Sequence, residues 1–210
     1  MKMDSLFDGV KEFNTTDFLE HKELFEKIGN NQSPHTLFIG CSDSRLVPNL
    51  ITKTLPGELF VIRNIANLVP IYRTSNDFLA TTSAIEYAVK ILNVTNIVVC
   101  GHSNCGGCNA LYLEDSFLKN IPHTKKWLEL AQPVVPKVIK LMGNDNDEKK
   151  REWMTEQLNI VEQMKHLLSY PYINEKFKKN EIKIFGWYYI IETGEIYNFD
   201  HNQKKFLKIE

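Results

Sequence analysis

Thr36-Leu37-Phe38-Ile39-Gly40-Cys41-Ser42-Asp43-Ser44-Arg45 sets a short apolar run directly ahead of a thiol, a carboxylate and a guanidinium. A run of this length, entered from Pro34, has the pattern of a buried strand over Thr36 to Gly40, which puts Cys41 just past its carboxyl end. The arrangement recurs downstream. Asn96-Ile97-Val98-Val99-Cys100 reads as another buried strand, stops at Gly101, and is followed by His102-Ser103-Asn104-Cys105-Gly106-Gly107. Ligands of open α/β sheets gather outside the carboxyl ends of strands. Two motifs far apart in sequence can therefore meet on one sheet edge.

Further out, Glu58 to Asn64, introduced by Pro56-Gly57, gives one more strand, and Ile182 to Trp187 another. Glu195 to Phe199 is expected to hairpin onto the latter through Thr193-Gly194. The spacing of Leu79, Ile85, Ala88, Val89 and Leu92 predicts a helix over 76–92, and residues 15–29, carrying Phe18, Leu24, Phe25 and Ile28, read as an amphipathic helix. A long helix should follow the polar loop Leu141 to Asp147, with Met154, Leu158, Val161, Met164 and Leu168 forming its packing face. Strands alternating with helices indicate the α/β class. The expected architecture is a single domain with a mostly parallel central sheet, about four parallel strands plus an antiparallel edge strand, and helices on both faces. With no internal repeat or linker, one domain is expected over 1–210. It divides into an N-terminal helical arm at 1–30, a metal-site core at 31–115, and a helical segment with the last strands at 116–210.

The 210 residues suit one substantial domain. A hydrophobic content of 43% and a charged content of 24% are those of an ordinary globular chain. The formal net charge of −1 gives no reason to expect nucleic-acid or anionic-membrane partners. The start, Met1 to Asp8, lacks the continuous apolar stretch of an export signal, and no apolar run approaches a membrane span. Four cysteines in such a chain favour metal binding over disulfides and imply a reducing cytoplasm.

Cys41, His102 and Cys105 offer two sulfurs and one nitrogen, a set suited to tetrahedral Zn²⁺ with one position left for a reactant. His102-x-x-Cys105 spaces two of them so that both can face one ion. Asp43 and Arg45 can pair bidentately, which keeps the carboxylate ionised and turned toward a reacting water. Taken singly, each has a plainer reading: a strand-end thiol, a surface ion pair, and a Cys105-Gly106-Gly107-Cys108 dithiol of redox type. The dithiol reading leaves Cys41, His102, Asp43 and Arg45 without a role. Cys100 reads as a small core residue and Cys108 as a spare thiol, with a closed Cys₃His structural site conceivable.

Four ordered blocks together resemble the β-class carbonic anhydrases: Cys41 to Arg45, Pro56 to Asn67, Ile85 to Val89, and Gly101 to Gly107. The match is tight over 32–110, and Gly186-Trp187 is similar to that family's late strand. The resemblance implies reversible hydration of CO₂ to bicarbonate and a proton by zinc-bound hydroxide, with Cys41, His102 and Cys105 on one zinc per chain. It implies that Asp43 and Arg45 form the catalytic dyad, that Gln32 hydrogen-bonds substrate, and that Phe60 and Tyr87 line the CO₂ pocket. Gly106 is counted with the substrate-contacting residues. In that family the pocket lies between subunits. The implied assembly is thus a homodimer or dimer of dimers, in which Gln32, Phe60 and Tyr87 serve a neighbour's zinc and the helical arm wraps the partner.

One subgroup of the family carries a regulatory bicarbonate pocket that switches the aspartate onto zinc. Its tryptophan is matched here by Phe38, and its arginine and tyrosine by Arg63 and Tyr189. Phe38 has no indole N–H, and Leu46-Val47-Pro48 is one residue longer than that subgroup's run, so the ungated, plant-like subgroup is expected, although Gly40 resembles the gated one. Two rival readings remain: a zinc hydrolase of the same fold acting on another substrate such as carbon disulfide, and a zinc-binding module without catalysis. His21, His35, His123, His166 and His201 are proton-transfer candidates by type only and are expected at the surface.

Overall fold

The computed structural model describes residues 3–73 and 78–210. Six strands form one sheet: β1 (Thr36–Cys41), β2 (Leu59–Asn64), β3 (Asn96–His102), β4 (Lys183–Tyr189), β5 (Ile196–Asp200) and β6 (Lys205–Lys208). Their order is β2-β1-β3-β4-β5-β6. The first four are parallel, and β5 and β6 close the far edge antiparallel. Two antiparallel strands thus replace the single one expected. The added strand, β6, follows a turn in which the Asp200 carboxylate accepts from the Asn202 and Gln203 amides at 2.8 and 2.7 Å. Asp-His-Asn-Gln is such a turn signal.

The helices are α1 (Met3–Thr15), α2 (Asp17–Glu20), α3 (Lys22–Ile28), α4 (Pro48–Thr52), α5 (Leu79–Lys90), α6 (Gly106–Asn109), α7 (Asp115–Leu118), α8 (Pro122–Leu128), α9 (Val135–Met142), α10 (Glu148–Leu168) and α11 (Pro171–Lys178). The single arm helix expected at 15–29 is instead three helices starting at Met3. His21, at φ −109° and ψ 18°, leaves the helical basin between α2 and α3. The Thr15 and Thr16 hydroxyls bond back to the Lys11 and Glu12 carbonyls, as side chains that compete with helical backbone do. Phe13, Phe18 and Phe25 then gather their rings within 6.3 Å and fold the arm on itself. The helix expected over 76–92 begins at Leu79, and positions 76 and 77 lie outside the described residues.

Alternation along the strands splits the core. Leu37 and Ile39, Ile97 and Val99, and Ile184 and Tyr188 face α5, α10 and α11. Gly101 and Gly186 let α10 approach closely: a Cβ on either would meet Ile160 within 2.9 Å, and on Gly186 also the Met164 sulfur at 2.5 Å. Phe38, Val98, Cys100, Phe185 and Trp187 face the other way, where Ile51 of α4 packs on them. Helices therefore do not cover both faces equally. An open cavity of about 460 Å³ remains on this second face, floored by Phe38, Val98 and Trp187.

The packing face of α10 also differs from expectation. Met154, Leu158, Val161 and Leu168 are half-buried, while Thr155, Glu156, Asn159, Gln163 and His166 are buried beside Ile160, Met164 and Leu167. His166 is thus not a surface residue. Its Nδ1 lies 2.7 Å from the Val69 carbonyl.

Candidate metal centre

Cys41 ends β1, His102 is the last residue of β3 rather than the first beyond it, and Cys105 sits at the N-cap of α6. β1 and β3 are adjacent and parallel, with Gly40 opposite Cys100, so their ends come level. Asn104 takes the left-handed φ of 56° and turns the chain back, bringing Cys105 over the strand ends. The Cys41 and Cys105 sulfurs stand 4.0 Å apart. The ligand atoms of Cys41, His102 and Cys105 all lie within 4.8 Å of one another, the one such cluster among the described residues. Tetrahedral zinc, with Zn–S near 2.3 Å, sets two thiolates roughly 3.8 Å apart.

His102 supplies the fit test. Its Nδ1 lies 2.9 Å from the Ser103 carbonyl, to which it donates, and its Nε2 is buried with no hydrogen-bond partner. An unpartnered buried nitrogen is costly. Facing two thiols, with the opposite nitrogen fixed by a carbonyl, it has the form of a metal ligand. Hydrogen bonding with the Cys105 thiol, and then burial, pushes the Cys41 thiol up to about 12. Two buried sulfurs this close ionise together only opposite a cation, and a zinc ion suits the set. Ala66, Leu68, Cys108 and Leu111 pack with both cysteines into an apolar wall behind it.

Asp43 stands in front of this wall. Arg45 Nε donates to Asp43 Oδ1 at 2.9 Å and Nη2 to Oδ2 at 2.8 Å, and the Arg45 amide adds a third bond at 3.0 Å. These hydrogen bonds from Arg45 hold the Asp43 carboxyl well below the usual carboxylate range. Asp43 Oδ2 lies 3.8 Å from His102 Nε2, so the carboxylate stands beside the ligand cluster without belonging to it. Arg45 Nη2 also reaches the Asn104 carbonyl at 3.2 Å, tying the two motifs together. Arg63 donates from Nε to the Cys41 carbonyl and from Nη2 to the Asp43 carbonyl, at 3.2 and 2.6 Å.

The structure brings together Cys41, Asp43, Arg45, His102 and Cys105. It does not bring Gln32, Phe60 or Tyr87 to them within the chain. Phe60 is paired with Leu37, whereas Cys41 is paired with Asn64, so Phe60 lies roughly 13 Å back along the sheet. Phe60 and Tyr87 do meet each other, with ring centroids 6.0 Å apart, and Tyr87 and Gln32 are exposed. Gly106 borders open space: a Cβ there would touch nothing within 4 Å.

Sequence reasoning missed the residues behind the site. Glu156 Oε1 accepts from the Cys105 amide at 2.8 Å, and its Oε2 accepts from the Tyr188 hydroxyl at 2.7 Å. Burial raises the Glu156 carboxyl to about 7 against the pull of those two donors. Asn159 donates to the Ala66 carbonyl at 2.9 Å, and Gln163 accepts from the Val69 amide at 2.8 Å. Glu156, Asn159, Gln163 and His166 recur at helical spacing, which is a legible stripe. Polar residues at that spacing also describe a solvated face, and the sequence carries no mark of what packs there.

Three converging soft ligand atoms beside a clamped carboxylate, at the ends of adjacent parallel strands, have the form of a catalytic metal site in an α/β enzyme. The family profile described as carbonic anhydrase matches residues 36–196. A carbonic anhydrase of Helicobacter pylori is 45% identical over 202 residues, covering 95% of this chain and 91% of the relative. One of Synechococcus elongatus is 37% identical, covering 92% and 70%. Among solved structures, the β-carbonic anhydrase CcaA superposes with a TM-score of 0.93 at 34% identity, covering 99% of this chain and 92% of that one. One of two tetrameric β-carbonic anhydrases from Sordaria macrospora gives 0.81 at 31%, covering 93% and 95%. The chain belongs to the carbonic anhydrase family, in its β class.

Proposed function

We propose that this chain hydrates carbon dioxide reversibly to bicarbonate and a proton, at a zinc ion held by Cys41, His102 and Cys105. The observation that carries the reading is the unpartnered His102 Nε2 facing two thiols, with an Arg45-clamped carboxylate 3.8 Å away. Bound zinc supplies the Lewis acidity that lets water ionise at moderate pH. The chain's own residues do the rest. Asp43 accepts a hydrogen bond from the attacking water and aims its lone pair, and Arg45 keeps Asp43 ionised and turned toward the site. The open flank at Gly106 leaves room for the substrate oxygens.

Gln32, Phe60 and Tyr87 act on a neighbouring subunit's site, Phe60 and Tyr87 presenting an apolar surface to CO₂. The assembly is a homodimer or dimer of dimers. The arm supports this, since Leu6, Phe7, Val10 and Leu19 are exposed along α1 and α2 with no cover from their own chain. Segments 1–30, 31–115 and 116–210 work as one unit. The centre is of the ungated kind, because Asp43 is held by Arg45, Arg63 is engaged with the Cys41 and Asp43 carbonyls, and Phe38 packs edge-on against Trp187. Four free cysteines suit a reducing cytoplasm, and among the described residues no helix is long and apolar enough to cross a membrane.

Stopped-flow CO₂ hydration from about pH 6.5 to about pH 9, with zinc measured on the same sample, tests the reading. Rapid hydration at one zinc per chain, substantial near neutrality, is expected. A steep onset above about pH 8 would overturn the ungated assignment. Full zinc without hydration at any pH would overturn the carbonic anhydrase reading itself.

A further inference from the structure

We infer that Glu156, locked by Tyr188, is a positioning residue that sets the metal affinity of the centre by holding the backbone of Cys105. The inference rests on the metal reading above and adds a component to it. His102 and Cys105 are separated by a turn with its second residue, Asn104, in a left-handed conformation that non-glycine residues adopt at a cost. Such a turn keeps its shape only where its polar groups are tied, and here each tie is visible. The Ser103 amide donates to the Tyr189 carbonyl at 2.9 Å, and the Ser103 hydroxyl accepts from the Ile191 amide at 3.0 Å. Arg45 holds the Asn104 carbonyl. The Cys105 amide goes to Glu156 Oε1, and the Asn104 backbone also bears on that carboxylate.

Glu156 is a carboxylate only 2% exposed, and its second oxygen is claimed by Tyr188 of β4. It bears on no atom of the ligand cluster directly. Through the Cys105 amide it fixes the rotation of the residue whose sulfur must stand 4.0 Å from that of Cys41. A carboxylate buried at this depth has no packing advantage over leucine. Its two short hydrogen bonds, one to a ligand residue's own backbone, are what account for it. The tie also spans elements: α10 carries Glu156, β4 carries Tyr188, and the Cys105 turn lies between them.

The test compares zinc affinity, by competition with a chromophoric chelator, for wild type, Glu156→Gln, Glu156→Leu and Tyr188→Phe. The melting temperature of each is measured with and without zinc, and the thiolate-to-cobalt charge-transfer band is recorded after Co²⁺ substitution. Gln retains an oxygen for the Cys105 amide and should bind zinc within about threefold of wild type. Leu keeps the volume without an acceptor and should lose about 10- to 100-fold, with a shifted cobalt band and a smaller zinc-induced rise in melting temperature. Should the Leu variant fail to fold, Tyr188→Phe decides, with a loss of about tenfold expected. Unchanged affinity in Tyr188→Phe and in a folded Leu variant would overturn the inference, as would equal losses of stability with and without zinc. A wild type that hydrates no CO₂ but binds zinc leaves the comparison intact. A wild type that binds no zinc overturns both.

Discussion

Asp43 has two courses open to it, and the Arg45 fork decides between them. Held at 2.9 and 2.8 Å by two guanidinium nitrogens, the carboxylate stays ionised and stands beside the ligand cluster without joining it. Replacing Asp43 by Asn keeps the shape but gives Arg45 an amide nitrogen where it needs an acceptor. It also removes the charge that would hold the attacking water. CO₂ hydration should fall by about 100-fold or more, with zinc content by elemental analysis unchanged. Loss of zinc in this variant would mean that Asp43 serves the metal rather than the water. This residue was readable from sequence because its partners are its neighbours: Cys41, Asp43 and Arg45 lie within one short turn. Glu156 was not readable, since its partner Cys105 is 51 residues away and nothing local marks the carboxylate as buried.

The long helix α10 shows the same division at the scale of an element. Its existence, its place after a polar loop and its packing role follow from helical periodicity. The Asp147 cap, accepting from the Lys149 and Lys150 amides, starts it where the loop ends. Which face it buries was misread because the strap after β2, at 65–72, needs hydrogen-bond partners that an apolar stripe does not offer. Asn159, Gln163 and His166 supply them. Close approach to the sheet depends on Gly186, so Gly186→Ala, forcing a Cβ against Met164 and Ile160, should cost about 1–3 kcal/mol in denaturant unfolding. His166 should make the helix pH-sensitive. Burial lowers its pKa below the ordinary value, with Glu162 4.0 Å away and Lys137 and Lys165 nearby. Between the folded value and the unfolded value of about 6.5, the unfolded chain carries the extra proton, so stability rises with pH and is complete above about 6.5. Glu156, raised to about 7, acts in the opposite sense over the same range, so the His166 contribution is read as a difference. Relative to His166→Gln, which can still donate to the Val69 carbonyl, the wild type should lose urea midpoint between about pH 7.5 and about pH 5.5. Parallel pH profiles for the two chains would remove His166 as a pH-sensitive group.

For the whole molecule, the question is whether one chain contains a complete site. The parallel order β2-β1-β3-β4 brings Cys41, His102, Cys105 and the Asp43–Arg45 pair to one edge of a single chain. The register that does so leaves Phe60 four positions before the end of β2, with Tyr87 beside it on α5. The pairing register that sets this separation is not marked in the sequence, where only the family resemblance pointed to a pocket shared between subunits. If the apolar half of each pocket comes from the neighbour, two inactive chains should rescue each other. An Asp43→Asn chain lacks the water-orienting group but keeps Phe60 and Tyr87, and a Phe60→Ala/Tyr87→Ala chain has the reverse defect. In a mixed dimer, one of the two sites combines the intact Asp43 of one chain with the intact aromatics of the other. Random exchange at equal amounts makes half the dimers mixed, so about a quarter of wild-type hydration should return on mixing, from two nearly inactive parents. The measurement is stopped-flow hydration after dissociation and reassociation, with each parent taken through the same cycle as its control. No recovery, in mixtures whose subunits demonstrably exchange, would overturn the shared pocket, and a Phe60→Ala/Tyr87→Ala parent that keeps its activity would leave both as surface aromatics.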